Sequence, residues 1–389
     1  MNQRVLHITT VGSALSFVEG YAKLLQVNNL DMQVASNGDA AFEAFCKAEN
    51  VKGFRCDMKR EITPLEDVRT IFRLIKIIRS ASPAIVHTHT PKASLLGMIA
   101  AYFVCVPVRI YHVHGLPIET ARGLRKCLLW LSDAVATRLA TRILSVSQSV
   151  GSQMAHYRIC SPKKIVVLGS GSINGVELKN KFVPDMTSEE QVEARRVLGI
   201  SPEEVVFGFV GRLVPDKGIR ELIVAWQNIS KEFQNVHLVI AGDEEAHDPL
   251  ENHIHTELTS NPTVHHVGFV KNTKQIYQGI DVLVLPTYRE GLPTVLLEAA
   301  AMAKPVIASA VTGCVDVVID GKTGLLTKKG DANDLMEKIR YYINEPEERI
   351  QHGVAGRKHV EQHYDRDQVQ EVLIMEYLKL LASKEESSV

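Results

Sequence analysis

Glu290 and Glu298 stand eight residues apart where a loop reads as running into a helix, and Arg212 and Lys217 follow the apolar run 205–210. Arginine meets phosphate oxygens through a planar fork and lysine as a point charge, while carboxylates accept hydrogen bonds from hydroxyls. Two cations and two spaced carboxylates therefore suit a ligand carrying both phosphates and hydroxyls, as a sugar diphosphate does. Gly291 lets the backbone pass close to a ligand, and Pro293 is preorganised for the first helical position. The amides and positive dipole end of that helix would face whatever lies beside Glu290. Singly, Glu290 reads equally as a surface loop residue and Glu298 as a solvated helix residue; together the segments point to a site.

Residues 211–218 resemble the Gly-Arg-Leu-x-x-x-Lys-Gly motif, and Glu290 with Glu298 the Glu-x7-Glu motif, of the retaining glycosyltransferases of family 4. His87-Thr88-His89-Thr90-Pro91-Lys92 and Tyr111-His112-Val113-His114-Gly115 look like the bacterial branch that builds capsular polysaccharide, O-antigen and lipid-linked glycans. Residues 167–176 look like the segment where that family crosses between domains. The resemblance implies an α/β chain of the GT-B fold, two doubly wound Rossmann-like domains facing across a cleft. The expected domains are an acceptor-binding domain 1–175, joined by a C-terminal helix 366–389, and a nucleotide-sugar-binding domain 176–365.

The activity so implied is retaining transfer of a sugar from a nucleotide diphosphate, expected to be a UDP-sugar, to a polyprenyl-diphosphate-linked sugar acceptor. No cofactor is expected, and the chemistry is expected to be metal-independent. Arg212, Lys217, Glu290 and His114 carry the expected catalytic roles. Donor contacts are expected from Gly12, Gly211, Arg212, Lys217, Phe269, Val270, Glu290, Gly291, Leu292, Pro293, Thr294 and Glu298, and acceptor contacts from Ser13, His89, Lys92 and His114. By family position, the loop at 268–270 would hold the base, Glu298 the ribose hydroxyls and Glu290 the transferred sugar, without acting as nucleophile. The chain departs from the pattern at two places: only Gly12 stands where many relatives have two adjacent glycines, and Asp316 stands where many have Glu. No catalytic role is carried onto Asp316.

Short apolar runs alternating with longer helical patterns argue independently for parallel sheets covered by helices. The expected strands are 5–8, 32–35, 85–88, 108–112 and 142–146, then 205–210, 237–241, 264–267, 282–285, 305–308 and 324–326. Ligands of doubly wound sheets sit at the carboxyl ends of strands, which selects the same loops as the motifs. Between the domains, 188–197 reads as a helix with Ser188 as N-cap; 367–381 reads as the last helix, followed by a frayed tail at 383–389.

At 389 residues, 45% apolar and 23% charged, the chain is long enough for two globular domains. Its net charge of −1 hides an asymmetry: residues 1–175 hold 21 Lys and Arg against 11 Asp and Glu, the remainder 23 against 34. The basic half suits an anionic partner, expected to be the membrane surface, or simply attraction between unlike halves. The basic residues are not interleaved with stacking aromatics, so nucleic acid is not expected. The six cysteines show no Cys-x-x-Cys spacing and read as buried apolar residues of a reducing compartment. No signal peptide is read at the start, and the apolar run 94–108 is shorter than the ~20 residues that span a bilayer. The expectation is a cytoplasmic protein, peripheral on the inner face of the cell membrane.

Two His-x-His pairs, His87 with His89 and His112 with His114, end their strands, and alternation puts each pair on one face. A metal site is one reading, substrate contacts or hydrogen-bonded structural histidines the others; no carboxylate or Cys accompanies them. Asp365 and Asp367 match a metal-binding Asp-x-Asp pattern, but they precede a helix where Asp is a favoured cap. Residues 124–142 mix apolar and basic side chains at helical spacing, as an interfacial helix or one packed on a sheet would. Two other functions fit the architecture: a UDP-sugar 2-epimerase, which would need acid and base carboxylates near the second sugar carbon, and a non-catalytic nucleotide-sugar-binding subunit of a membrane glycosylation complex.

Overall fold

The structure, a computed structural model, describes residues 2–59, 61–184, 189–245 and 250–386. The chain divides into two compact units, one holding residues up to Asn174 together with those from Asp367 onward, the other Gly175–Arg366.

The first unit contains strands β1 (Gln3–Ile8), β2 (Leu30–Ser36), β3 (Lys52–Arg55), β4 (Ile85–Thr88), β5 (Val108–Val113), β6 (Arg142–Ser145) and β7 (Ile165–Val167). They pair in parallel in the order β3-β2-β1-β4-β5-β6-β7. Parallel neighbours require crossovers, which the intervening helices supply, and helices on the sheet faces explain why the central strands β1, β4 and β5 are almost wholly buried, their histidines included. Val5, Val34, Ile85, Ile110 and Leu144 form the sheet's share of a core against Leu15, Val18, Tyr21 and Leu25. The last helix, Arg366–Glu386, adds Leu373, Ile374, Tyr377 and Leu381 to that same core. At roughly 1.5–3 kcal/mol for each fully buried large apolar side chain, these residues make it an integral part of the first unit.

The second unit contains β8 (Val205–Val210), β9 (Val236–Ala241), β10 (Val264–Gly268), β11 (Val282–Leu285), β12 (Val306–Ser309) and β13 (Gly324–Thr327), parallel in the order β10-β9-β8-β11-β12-β13. The order reverses direction between β8 and β11, the position at which open α/β sheets bind ligands. Trp226, Phe207 and Phe209 are fully buried in its core.

Every expected strand is present within one or two residues of its expected ends, and β3 and β7 are additional. Both are edge strands: Lys52-Gly53-Phe54-Arg55 is largely exposed and has no apolar pattern, and β7 is three residues long. The helix expected at 188–197 spans Glu189–Val197, anchored by buried Arg195, which bonds Asp281 at 2.7 Å and the carbonyls of Gly279, Pro202 and Glu204. Its expected cap, Ser188, lies outside the described residues. The tail does not fray at 383, because the last helix continues to Glu386; residues 387–389 lie outside the described residues. Cys105 and Cys127 are exposed rather than buried, the first in a left-handed turn after the helix Pro91–Phe103, the second on the outer side of Gly123–Leu139. Among the described residues no helix is long and apolar enough to cross a membrane.

Candidate active site

In the second unit the loops leaving β8 and β11 flank the switch point and bring their charged residues together. Lys217 ends a 3-10 turn, Pro215–Lys217, and its Nζ lies 2.5 Å from Glu290 Oε1. Both are largely buried, so this pair is screened by solvent much less than a surface bridge would be. Asp216 binds the two loops together: its carboxylate accepts from Arg289 Nε at 3.0 Å, and its carbonyl accepts from Tyr288 N and Thr287 Oγ1. Glu290 N in turn donates to Thr312 O of the loop after β12. Three strand ends thus hold one lysine and one carboxylate with little freedom.

Arg212 is more exposed and pairs with Glu245 at 2.8 Å. Hydrogen bonds from Gly211 N to Ala241 O and from Gly242 N to Gly268 O bind together the loops after β8, β9 and β10. They frame a hollow of about 360 Å³, lined by Gly211, Arg212, Gly242, Phe269, Val270 and Thr273. Phe269 is 73% exposed, an unusual state for so large an apolar group and a ready surface for a planar ring. A larger hollow of about 720 Å³ lies beside Glu193, Ala194 and Ile276, and Val270 is its one wall residue expected to contact a donor.

The helix beyond Glu290 starts at Thr294, with Pro293 at its N-cap and not at its first helical position. Gly291 and Leu292 complete the turn into it. One helical turn on, Glu298 is not solvated: its Oε2 accepts from Tyr277 OH at 2.8 Å and Thr273 Oγ1 at 3.1 Å. Burial raises its pKa, and those two donors together with the charges of Lys181 and Arg366 oppose the rise. Both hydrogen bonds go to the same oxygen, so the carboxylate is aimed by the fold.

In the first unit the sequence-expected residues fare unequally. Gly12 opens the 3-10 segment Gly12–Val18, and its amide donates to Asp39 Oδ2 at 3.0 Å. A side chain at that position would overlap Asp39 and the backbone of Phe42, so the fold itself requires this glycine. Ser13 beside it is exposed. Lys92 is committed to the start of the helix Pro64–Ala81: its Nζ lies 2.6 Å from Asp67 Oδ1 and also meets Thr63 Oγ1 and the Glu61 carbonyl. His89 is buried, while His114 is half-buried, its ring stacked on Phe17 with centroids 4.1 Å apart. Their nitrogens, His89 Nδ1 and His114 Nε2, are 3.2 Å apart. Burial lowers the pKa of His114 to about 3, so the ring is neutral. Asp365 precedes the last helix and Asp367 lies in its first turn. Among the described residues the clustered metal-ligating side chains are histidines, and neither aspartate is among them.

Two family descriptions match the chain, Glycosyltransferase Family 4 over residues 20–171 and Glycosyl transferases group 1 over residues 190–359. The capsular polysaccharide biosynthesis glycosyltransferase CapM of Staphylococcus aureus is 34% identical over 384 residues, 99% of each chain. This chain is a family 4 glycosyltransferase. The transferase is also 28% identical, over 72% of its length and 71% of the relative's, to the UDP-Gal:alpha-D-GlcNAc-diphosphoundecaprenol alpha-1,3-galactosyltransferase of Escherichia coli. Its fold matches that of Anabaena HepE, solved in complex with UDP, with a TM-score of 0.81 over 97% of this chain and 100% of that one, at 19% identity. The two parallel Rossmann-like sheets are therefore those of the GT-B fold.

Sequence reasoning missed several partners of the expected side chains: in the second unit Thr273 and Tyr277 on Glu298 and the Asp216–Arg289 bridge, and in the first unit His7, Phe17 and Tyr377. Only His7 left a signal, as the polar residue within the apolar run 5–8. Gly218 carries a sharper constraint. It has φ +71°, and a Cβ there would overlap the Pro286 carbonyl. Gly218→Ala is expected to displace Lys217 and to destabilise the second unit by about 1–3 kcal/mol, the usual cost of a forced backbone position. Urea unfolding would detect it; unchanged stability would show that the turn can relax.

Proposed function

We propose that this transferase moves a sugar, with retention, from a UDP-sugar to a polyprenyl-diphosphate-linked sugar acceptor. The observation that carries the reading is the pairing of Lys217 with Glu290 at 2.5 Å on the two loops flanking the switch point, with Arg212 close by on the first of them. The name of the Escherichia coli relative supports it, since it prints both a UDP-galactose donor and a diphosphoundecaprenol-linked acceptor.

In the proposed reaction the bond between the anomeric carbon and the phosphate oxygen breaks while charge grows on the departing diphosphate. Lys217 and Arg212, with the amides at Thr294, stabilise that charge as fixed donors. The acceptor hydroxyl attacks from the same face, and its proton passes to the leaving phosphate oxygen. Glu290 orients sugar hydroxyls and holds Lys217, Glu298 takes the ribose, and the hollow beside Phe269 takes the base. In the first unit Ser13 and half-buried His114 are the groups open to an acceptor; His89, expected to contact it, is buried behind His114, and Lys92 shapes the neighbouring loop through Asp67. The first unit is in this reading the acceptor-binding domain and the second the nucleotide-sugar-binding domain.

The site of work is the inner face of the cell membrane. Exposed Leu65, Val68 and Phe72 alternate with Arg69, Arg73 and Lys76 on one helix, and exposed Leu124 and Leu131 lie near Arg125 and Lys126 on another. Apolar side chains among cations suit an anionic bilayer surface. The test incubates the protein and its Glu290→Gln variant with radiolabelled UDP-sugars and a bacterial membrane extract, following label into the organic lipid phase. Transfer from one donor, lost in the variant and at least as fast in excess chelator, is expected. Conversion of a donor to its epimer, or no turnover with any donor, would overturn the reading; loss in chelator with rescue by a divalent ion would overturn the metal-independent step.

A further inference from the structure

Five imidazoles gather in the interior of the first unit. The parallel register of β1 and β4 sets His7 opposite His87, and alternation turns His89, His112 and His114 to the same side. His7, His87, His89 and His112 are at most 2% exposed. Their hydrogen bonds are largely to one another: His7 Nδ1 with His89 Nε2 at 2.9 Å, His89 Nδ1 with His114 Nε2 at 3.2 Å, His87 Nε2 with His112 Nδ1 at 3.2 Å, and His87 Nδ1 with Tyr377 OH at 2.5 Å. The accounting does not close, because Nε2 of His7 and Nε2 of His112 are buried without a hydrogen-bond partner. A buried polar atom left so costs about 1–3 kcal/mol, and such an atom in a native interior calls for a ligand or a function.

We propose that His89, His112 and His114 form a binding site for a divalent transition ion of the zinc type, held through His89 Nδ1, His112 Nε2 and His114 Nε2. Each of the three offers a nitrogen within 4.8 Å of those of the others. The 3.2 Å between His89 Nδ1 and His114 Nε2 matches the edge, ~3.3 Å, of a tetrahedron with metal–nitrogen bonds of about 2.0–2.1 Å. Binding there gives the orphaned His112 Nε2 a partner. The opposite nitrogens of two ligands are already fixed from behind, His89 by His7 and His112 by His87 and then Tyr377, the outer hydrogen bonding that orients metal-binding imidazoles. Half-buried His114 provides the way in and leaves a fourth position for water. Imidazole donors select zinc, copper, nickel or cobalt over magnesium or calcium. The other trio, His7, His87 and His89, is wholly buried and offers no entry.

Cobalt(II) supplies the test, since its visible absorption reports coordination. Titration of the full chain, with stoichiometry from equilibrium dialysis, is expected to show one equivalent in a low-coordinate nitrogen environment. His112→Phe is expected to weaken binding at least 100-fold, and His87→Phe, outside the ligand set, by 10–100-fold. Should His112→Phe not fold, His114→Phe at the half-buried position gives the same reading. Substituting Asn at His237 and His265, or at His359 and His363, is expected to leave the spectrum unchanged. No cobalt signal in the wild type, a signal of unaltered affinity in the folded His112→Phe or His114→Phe protein, or one removed by the substitutions in the second unit would each overturn the proposal. A bound ion withdraws His114 from substrate, so metal loading is expected to lower turnover and chelator to restore it. That last consequence alone rests on the proposed function; the absorption and dialysis do not.

Discussion

Lys217→Ala is expected to lower the turnover number by about 100-fold or more, the size of effect seen when one partner of transition-state charge is lost. The geometry makes this lysine the more sensitive of the two cations. It is largely buried, and its loop is fixed through Asp216 and Gly218 to the loop bearing Glu290. Removing the ammonium also leaves Glu290 as a largely buried carboxylate without its partner, a second negative charge facing the donor phosphates. Arg212→Ala is expected to reach the same order with more of the loss in donor KM, because Arg212 is exposed and can trade Glu245 for phosphate oxygens. The double variant Lys217→Met with Glu290→Gln separates the causes: it removes the unpaired charge, so stability should return while turnover stays low. Steady-state kinetics on donor and acceptor check all three variants. Full activity in both single cation variants would sink the phosphate-site assignment.

This lysine was legible in the sequence because its spacing is local: a strand, a glycine, an arginine and a lysine within a few residues require no knowledge of the fold. Its partner was legible as a residue but not as a partner, since 73 residues separate Lys217 from Glu290 and only the strand order β8-β11 sets their loops side by side. The same distinction runs through the chain. Buried strands announce themselves as apolar runs, whereas β3 and β7 gain their structure from a neighbour's hydrogen bonds and carry little pattern of their own. Lys92, close to His89 in sequence, reads as a ligand-facing cation until tertiary packing supplies Asp67 from a helix 25 residues earlier. Glu298 reads as solvated until Tyr277 reaches it. His7 reads as an odd residue in a strand, and its significance comes from the parallel register that sets it opposite His87, with Tyr377 brought to the same place by the last helix. Pairings of high sequence separation belong to the fold, and no local pattern encodes them.

The second large effect is in acid stability. Unfolding free energy is expected to fall steeply between pH 7 and pH 5, well before carboxylates of ordinary pKa protonate. Burial holds His7 at about 3, and burial joined by repulsion among the rings holds His87, His89 and His112 well below their ordinary value. In the unfolded chain each returns to about 6.5. Below that pH the unfolded state therefore binds protons that the native state does not, so stability drops as pH falls, across a window from about 6.5 toward 3. His7 alone contributes about 1.4 kcal/mol for each pH unit within the window, or about 2 kcal/mol at pH 5. Asp133, raised by burial to about 6, and Glu298, also raised by burial, work in the opposite direction, since the native state then gains a proton first, but they are two groups against several. Glu177 and Glu204 lie below their ordinary value of 4.5 and lose their stabilising effect only in stronger acid, outside the histidine window. Urea unfolding at a series of pH values, with proton uptake measured by calorimetry in two buffers, distinguishes these windows. Uptake of several protons on unfolding at pH 5, reduced in His7→Leu, is the expected result. A stability curve flat from pH 7 to pH 5 would mean that the fold does not hold these imidazoles neutral.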